Sequence, residues 1–199
     1  MWDRFSDSNL EYFKYFSNVK TILTDMGMDH LFHRNTKVDM NVYKDLSNDL
    51  LKTQYYNDIN NYSSLSLYRS VTCNMNASDY LDSYCNFRGL QLKFKLRTGT
   101  LGLGSDLQRQ HRGDGFCKCC NLYESAKHFI FVCPSYHTER RILYDNIIRS
   151  AGADVFSSII SNWDIGLNLL LGDHDDVYNN YFCSFIQKAW MIRSSHSNA

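Results

Sequence analysis

The spacing Cys117-x2-Cys120-x7-His128-x4-Cys133 constrains this chain more than any other feature. Three thiols and one imidazole within a short stretch can fill the tetrahedral shell of one zinc ion. Two cysteines separated by two residues let a tight turn offer both sulfurs to one metal, while the other pair sits on a short helix and its exit. Cys119 competes with Cys120 for the second place. The tighter bite of Cys-x-Cys favours Cys120, but the sequence leaves the choice open. Two further readings are a cluster of free thiols in an apolar pocket and an iron–sulfur site on Cys117, Cys119, Cys120 and Cys133. Local signals agree with a metal knuckle. Asn121 stands where such a turn needs positive φ, and Ser125 suits the N-cap of a helix starting near Lys127. Pro134, the only proline in the chain, turns Cys133 away from the helical region. A saturated shell of three cysteines and one histidine leaves no open position for water, so the site reads as structural.

Around these ligands lie Leu96-Arg97-Thr98-Gly99, a basic linker, Glu124, His128 to Pro134, and Tyr136 to Arg140. With them, the run from Leu96 to Arg140 resembles the zinc-binding segment at the C-terminal end of non-LTR (LINE-type) retrotransposon reverse transcriptases. Residues 55–71 resemble the helical tail that precedes the knuckle in such elements. The specific match covers about a quarter of the chain and the looser one most of it. The spacer departs from the pattern, with neutral Asn121, Leu122 and Tyr123 where the family is acidic; this affects charge near the metal rather than ligation. The resemblance implies a nucleic-acid-binding piece without polymerase or endonuclease centres, which positions element RNA or target DNA beside the remainder of such a protein.

Zero net charge hides an asymmetry. Residues 1–84 carry 8 basic and 11 acidic side chains, residues 85–149 carry 11 and 5, and residues 150–199 carry 2 and 5. Three parts follow: a helical N-terminal part (1–84), a basic knuckle segment with flanking helices (85–150), and C-terminal helices packing on the rest (151–199). The seven cysteines are odd in number and four of them cluster, unlike a disulfide framework. The N-terminus is charged from its third residue, and no apolar run approaches the ~20 residues of a membrane span. The expected location is therefore intracellular, in nucleus or cytoplasm, with reduced thiols.

The expected fold class is mainly α, a helical bundle with the small Cys-Cys-His-Cys zinc knuckle between helices. Leu10, Phe13, Phe16, Val19, Ile22, Leu23 and Met26 recur at helical steps behind a capping box at Ser8 and Glu11, and this helix should end at Gly27. A short piece is expected at 28–34, where His30 and His33 read as surface or capping residues. A long helix is expected at 39–60 with Val42, Leu46, Leu50 and Ile59 inward, and a shorter one at 64–72. Ser78 should cap a turn, and Cys73 and Cys85 read as buried thiols. Residues 86–98 alternate like a strand. The resemblance implies a helix there, and no partner strand is evident, so helix is favoured. Either form carries a basic stripe of Arg88, Lys93, Lys95 and Arg97. After Pro134 a helix is expected at 136–150 with Ile142, Leu143, Ile147 and Ile148 in the core. Short helices follow at 155–160, capped by Asp154, and at 165–171. The last starts near Asp173 and buries Val177, Tyr181, Phe182, Phe185, Ile186, Ala189 and Trp190, and the final residues should fray.

No catalytic constellation emerges. The cluster at 173–176 lacks the aromatic-x-Asp-Asp step and distant carboxylate of a two-metal polymerase site, and reads as helix-capping acids. Gly-x-Ser-x-Gly is absent, and the glycines from Gly99 to Gly104 do not have phosphate-loop spacing. The expectation is a binding protein with no small-molecule substrate. Arg97, Arg109, Arg112, Lys118 and Lys127 would meet phosphates, and Phe116 and Tyr123 would stack on unpaired bases. The competing readings are a zinc-stabilised helical adaptor that binds protein, and an inactive retroelement relic.

Overall fold

The computed structural model describes residues 14–29, 40–72, 87–173 and 177–196. The expectations for Ser8, Glu11, His30, His33, Cys73, Ser78 and Cys85 lie outside these, as does the end of the tail expected to fray, whose Ser194, Ser195 and His196 are instead helical. Two compact units divide the chain, residues 1–58 and 59–199. The described residues are helical, and their one extended pairing is an isolated antiparallel bridge between Phe116 and Tyr123. None of the helices among them is long and apolar enough to cross a membrane.

In the first unit α1 (Lys14–Asp25) ends as expected at Gly27. Met28 N–H donates to Leu23 O and Gly27 N–H to Thr24 O, the crossed pair of a Schellman ending. Helix α2 (Met40–Asn61) starts in this unit and ends in the second. Leu46 and Leu50 are half-buried, but Val42 is exposed rather than inward, because it lies in the opening turn beyond the packed stretch.

The second unit holds the main core. A 3-10 turn (Ser63–Leu65) leads into α3 (Ser66–Val71). The ambiguous stretch is helix α4 (Phe87–Arg97). Its buried residues are Gly89, Leu92, Lys93, Leu96 and Arg97, the i, i+3, i+4, i+7, i+8 pattern of one helix face, while Phe94 points outward at 48% exposure. The strand-like alternation was therefore incidental, and half of the supposed basic stripe faces inward. Gly99 ends α4 with φ +62, a conformation that only a residue without Cβ adopts freely. The short α5 (Gly104–Arg109) follows.

Beyond the knuckle run α6 (His137–Ala151), α7 (Ala153–Ser161), α8 (Trp163–Leu171) and α9 (Asn179–His196). Leu143 and Ile147 are buried, but Ile142 and Ile148 are about two-fifths exposed: one helix face packs, and their neighbours one position away lie off it. Asp154 lies in the first turn of α7 rather than at its cap, which is Gly152, and Asn162 caps α8 by accepting from Asp164 N–H and Ile165 N–H. The final helix begins at Asn179 rather than near Asp173 as expected, and Asp173 pairs with Arg97. Phe182, Phe185, Ile186 and Ala189 of α9 are buried against α4 and α6, whereas Val177 and Tyr181 are exposed. At the α4–α9 crossing a Cβ on Gly89 would sit 2.7 Å from Cys183 Cβ, so the glycine sets how closely the helices approach.

Candidate metal centre

The knuckle is built from backbone outward. Cys117 N–H donates to Leu122 O and Glu124 N–H to Gly115 O, closing a narrow loop around the bridge between Phe116 and Tyr123. Asn121 turns it with φ +56, as its position required. Ser125 Oγ accepts from His128 N–H at 3.2 Å, the expected N-cap. The following helix is a single wide π turn (His128–Val132), closed by Cys133 N–H to His128 O, so the two ligands stand at its ends. Cys133 has φ −53 and ψ 122, the extended ψ that Pro134 enforces.

These turns bring Cys117, Cys120, His128 and Cys133 together, with their ligand atoms all within 4.8 Å of one another. Cys117 Sγ and Cys133 Sγ are 3.8 Å apart, and Cys120 Sγ lies 3.3 Å from His128 Nε2. A disulfide needs about 2.05 Å, so the sulfurs are not bonded. Two sulfurs each about 2.3 Å from a tetrahedral ion stand about 3.8 Å apart. The four residues therefore fit one metal ion, with Cys120 rather than Cys119 in the second place.

Burial tunes the ligands. It lowers the pKa of His128, partly opposed by the Glu124 carboxylate and reinforced by Arg140, so the imidazole favours the neutral form a metal needs. It raises the Cys133 thiol to about 12, with Cys117 and Cys120 adding like-charge repulsion and a Ser135 backbone N–H opposing. Without a metal Cys133 stays a thiol; a cation would replace its proton.

Four side chains hold the knuckle in place. Glu124 is 1% exposed; its Oε2 accepts from Gly104 N–H at 2.6 Å, and both oxygens accept from Arg193 of α9 at 2.7 and 2.8 Å. Burial lowers the Arg193 pKa, but the bonds and charge of Glu124 outweigh it and the net shift is upward. Arg140 of α6 is buried and donates to Ile130 O at 2.7 Å and Cys133 O at 2.9 Å, tying off the end of the π turn. Tyr136 packs its ring on Phe129, while its buried hydroxyl finds no hydrogen-bond partner among the described residues.

The expected contact residues divide. Arg97 has a fully buried side chain; it pairs with Asp173, donates to Thr72 Oγ1 at 2.8 Å and covers the Tyr68 ring, so it cannot meet a phosphate. Its assignment to the nucleic-acid set is corrected: it braces α4 against the end of α8. Arg112, Lys118, Phe116 and Tyr123 are exposed. Arg109 and Lys127 are half-buried, paired with Asp106 at 3.1 Å and Asp164 at 2.6 Å. Sequence reasoning missed the roles of Glu124, Arg193 and Lys93; Lys93 is buried and donates to Asn179 Oδ1 at 2.9 Å. The Glu124–Arg193 and Lys93–Asn179 partners are 69 and 86 residues apart, so no local signal marks these pairings, although Glu124 itself lies among the motif residues. Arg140 was within reach, because Tyr136 to Arg140 had already been singled out.

Compared with protein-family models, curated proteins and solved structures, the chain matches none.

Proposed function

We propose that this chain is a zinc-stabilised module that binds single-stranded nucleic acid. The convergence of three sulfurs and one imidazole nitrogen within 4.8 Å carries the proposal. Zinc is the ion that best suits a closed three-Cys, one-His set, and ligation of this kind is worth on the order of 10 kcal/mol in small modules. Its role here is to hold the loop carrying Phe116, Lys118 and Tyr123.

The surface supports a polyanionic partner. Of the eleven cations in 85–149, Lys93, Arg97 and Arg140 are buried, as are Asp106 and Glu124 of the five acids. Eight cations and three acids remain for solvent. Phe116 and Tyr123, 47% and 51% exposed beside the ligands, offer flat faces to unpaired bases. The resemblance to C-terminal segments of non-LTR reverse transcriptases supports the same reading: a non-catalytic, intracellular piece that places element RNA or target DNA for a polymerase carried elsewhere.

Metal content and a melting curve before and after chelation test the first half. One zinc per chain and a collapsed melt are expected; no zinc and an unchanged melt overturn it. Binding to a single-stranded RNA 12-mer across a salt series tests the second. Affinity should fall steeply with salt, and a flat response would refute phosphate recognition.

A further inference from the structure

A groove of about 390 Å³ opens between α3, the Gly99–Asp106 connection and the knuckle. That volume suits one small ligand. Leucines such as Leu103 and Leu167, both buried, form its floor. Tyr123, Ser125 and Lys127 form the wall that the metal knuckle supplies. Knuckle residues thus form part of the groove while none of the four ligands lines it, and neither ligation nor the hydrophobic core accounts for its polar lining.

Two cations face this space on different terms. Lys127 Nζ is held by Asp164 Oδ1 at 2.6 Å, but the two side chains are 41% and 73% exposed. A pair that open to water is weak and exchangeable. Arg109 uses Nη2 for both Gly99 O and Asp106 Oδ1; its Nη1 and Nε carry neither bond. Asp106 is buried and already accepts from Gly102 N–H and Leu103 N–H as well as from Arg109. Among the described residues, the acid a ligand must displace is therefore Asp164. Two cations balanced by two acids do not suit a run of phosphates. They suit one phosphate that takes the place of Asp164, with an aromatic face beside it.

We propose that this groove holds one nucleotide of a bound single strand, its phosphate between Lys127 and Arg109 and its base against Tyr123. The proposal rests on the nucleic-acid reading above and adds where a strand is gripped. It assigns Asp164 as a resident competitor of the phosphate.

The test is fluorescence anisotropy of a labelled single-stranded RNA 12-mer on zinc-loaded protein at constant low salt. Lys127→Ala should weaken binding about fivefold or more and Tyr123→Ala similarly, in line with charge-assisted bonds and base stacking. Ser70→Trp, which fills the groove from an exposed helical position, should weaken it about tenfold, on the scale at which ten is 1.4 kcal/mol. Asp164→Asn, at a site 73% exposed, should tighten binding by about threefold, the scale of a weak exposed pair. RNA binding by the parent that all four variants leave unchanged, with Arg112→Ala and Lys118→Ala carrying the loss, overturns the groove and spares the nucleic-acid reading. No RNA binding by the parent overturns both.

Discussion

Replacing Glu124 by alanine should be among the most damaging single changes outside the ligand set. Glu124 is 1% exposed and Arg193, its partner, has a side chain 11% exposed. Removing the carboxylate leaves the guanidinium buried with Gly102 O as a remaining acceptor, and Gly104 N–H loses its 2.6 Å bond. Breaking a buried pair from one side costs about 3–5 kcal/mol, because the abandoned charge stays desolvated. With a urea m-value of about 2 kcal/mol/M, the unfolding midpoint should fall by about 1.5–2.5 M. The assay is urea unfolding at fixed free zinc, with bound metal measured in parallel so that metal loss is scored separately. Glu124→Gln keeps an acceptor for Gly104 and should cost about half as much. A double-mutant cycle with Arg193→Ala should return a coupling of about 2 kcal/mol or more. A loss below about 1 kcal/mol for Glu124→Ala would refute the reasoning, since it would mean that the pair behaves like one on the surface.

Cys119→Ser should keep one zinc per chain and Cys120→Ser should lose it, read by mass spectrometry of native protein; equal retention by both would reject the assigned shell. Acidification should release the metal. His128 is held below its ordinary value of 6.5, so the unfolded chain takes the proton first; its contribution is intact above pH 6.5 and is lost as pH falls from there toward the lowered value. Protons competing for the thiolates act in the same direction, and a zinc-release titration with a chromogenic chelator that stays flat below pH 6.5 would contradict this. Tyr136→Phe removes a buried hydroxyl with no partner among the described residues and should stabilise by about 1 kcal/mol in the same urea assay; destabilisation would show that the hydroxyl is satisfied. Gly104→Ala should cost about 1–3 kcal/mol, because its Cβ would stand 2.5 Å from Gly115 O, and an unchanged midpoint would disprove that contact.

Features that depend on neighbours along the chain could be read from the residues alone. The ligand spacing, the positive φ at Asn121, the Ser125 cap and the extended Cys133 before Pro134 are all settled within a few residues, because backbone sterics and short hydrogen bonds act at that range. The succession of helices was legible for the same reason, down to the ending at Gly27.

Which charges are surface and which are scaffold depends instead on contacts between distant segments. Arg97 and Lys93 look alike in sequence to Arg112 and Lys118, yet the first two are buried. Asp173 meets Arg97 across 76 residues, Asn179 meets Lys93 across 86, and Arg193 meets Glu124 across 69. Burying a cation is costly unless a partner waits for it, and whether one waits depends on how α4, α8 and α9 pack, not on composition. The same packing exposed Ile142 and Ile148 and opened the groove beside Lys127, since one helix can turn only part of its apolar surface toward a core.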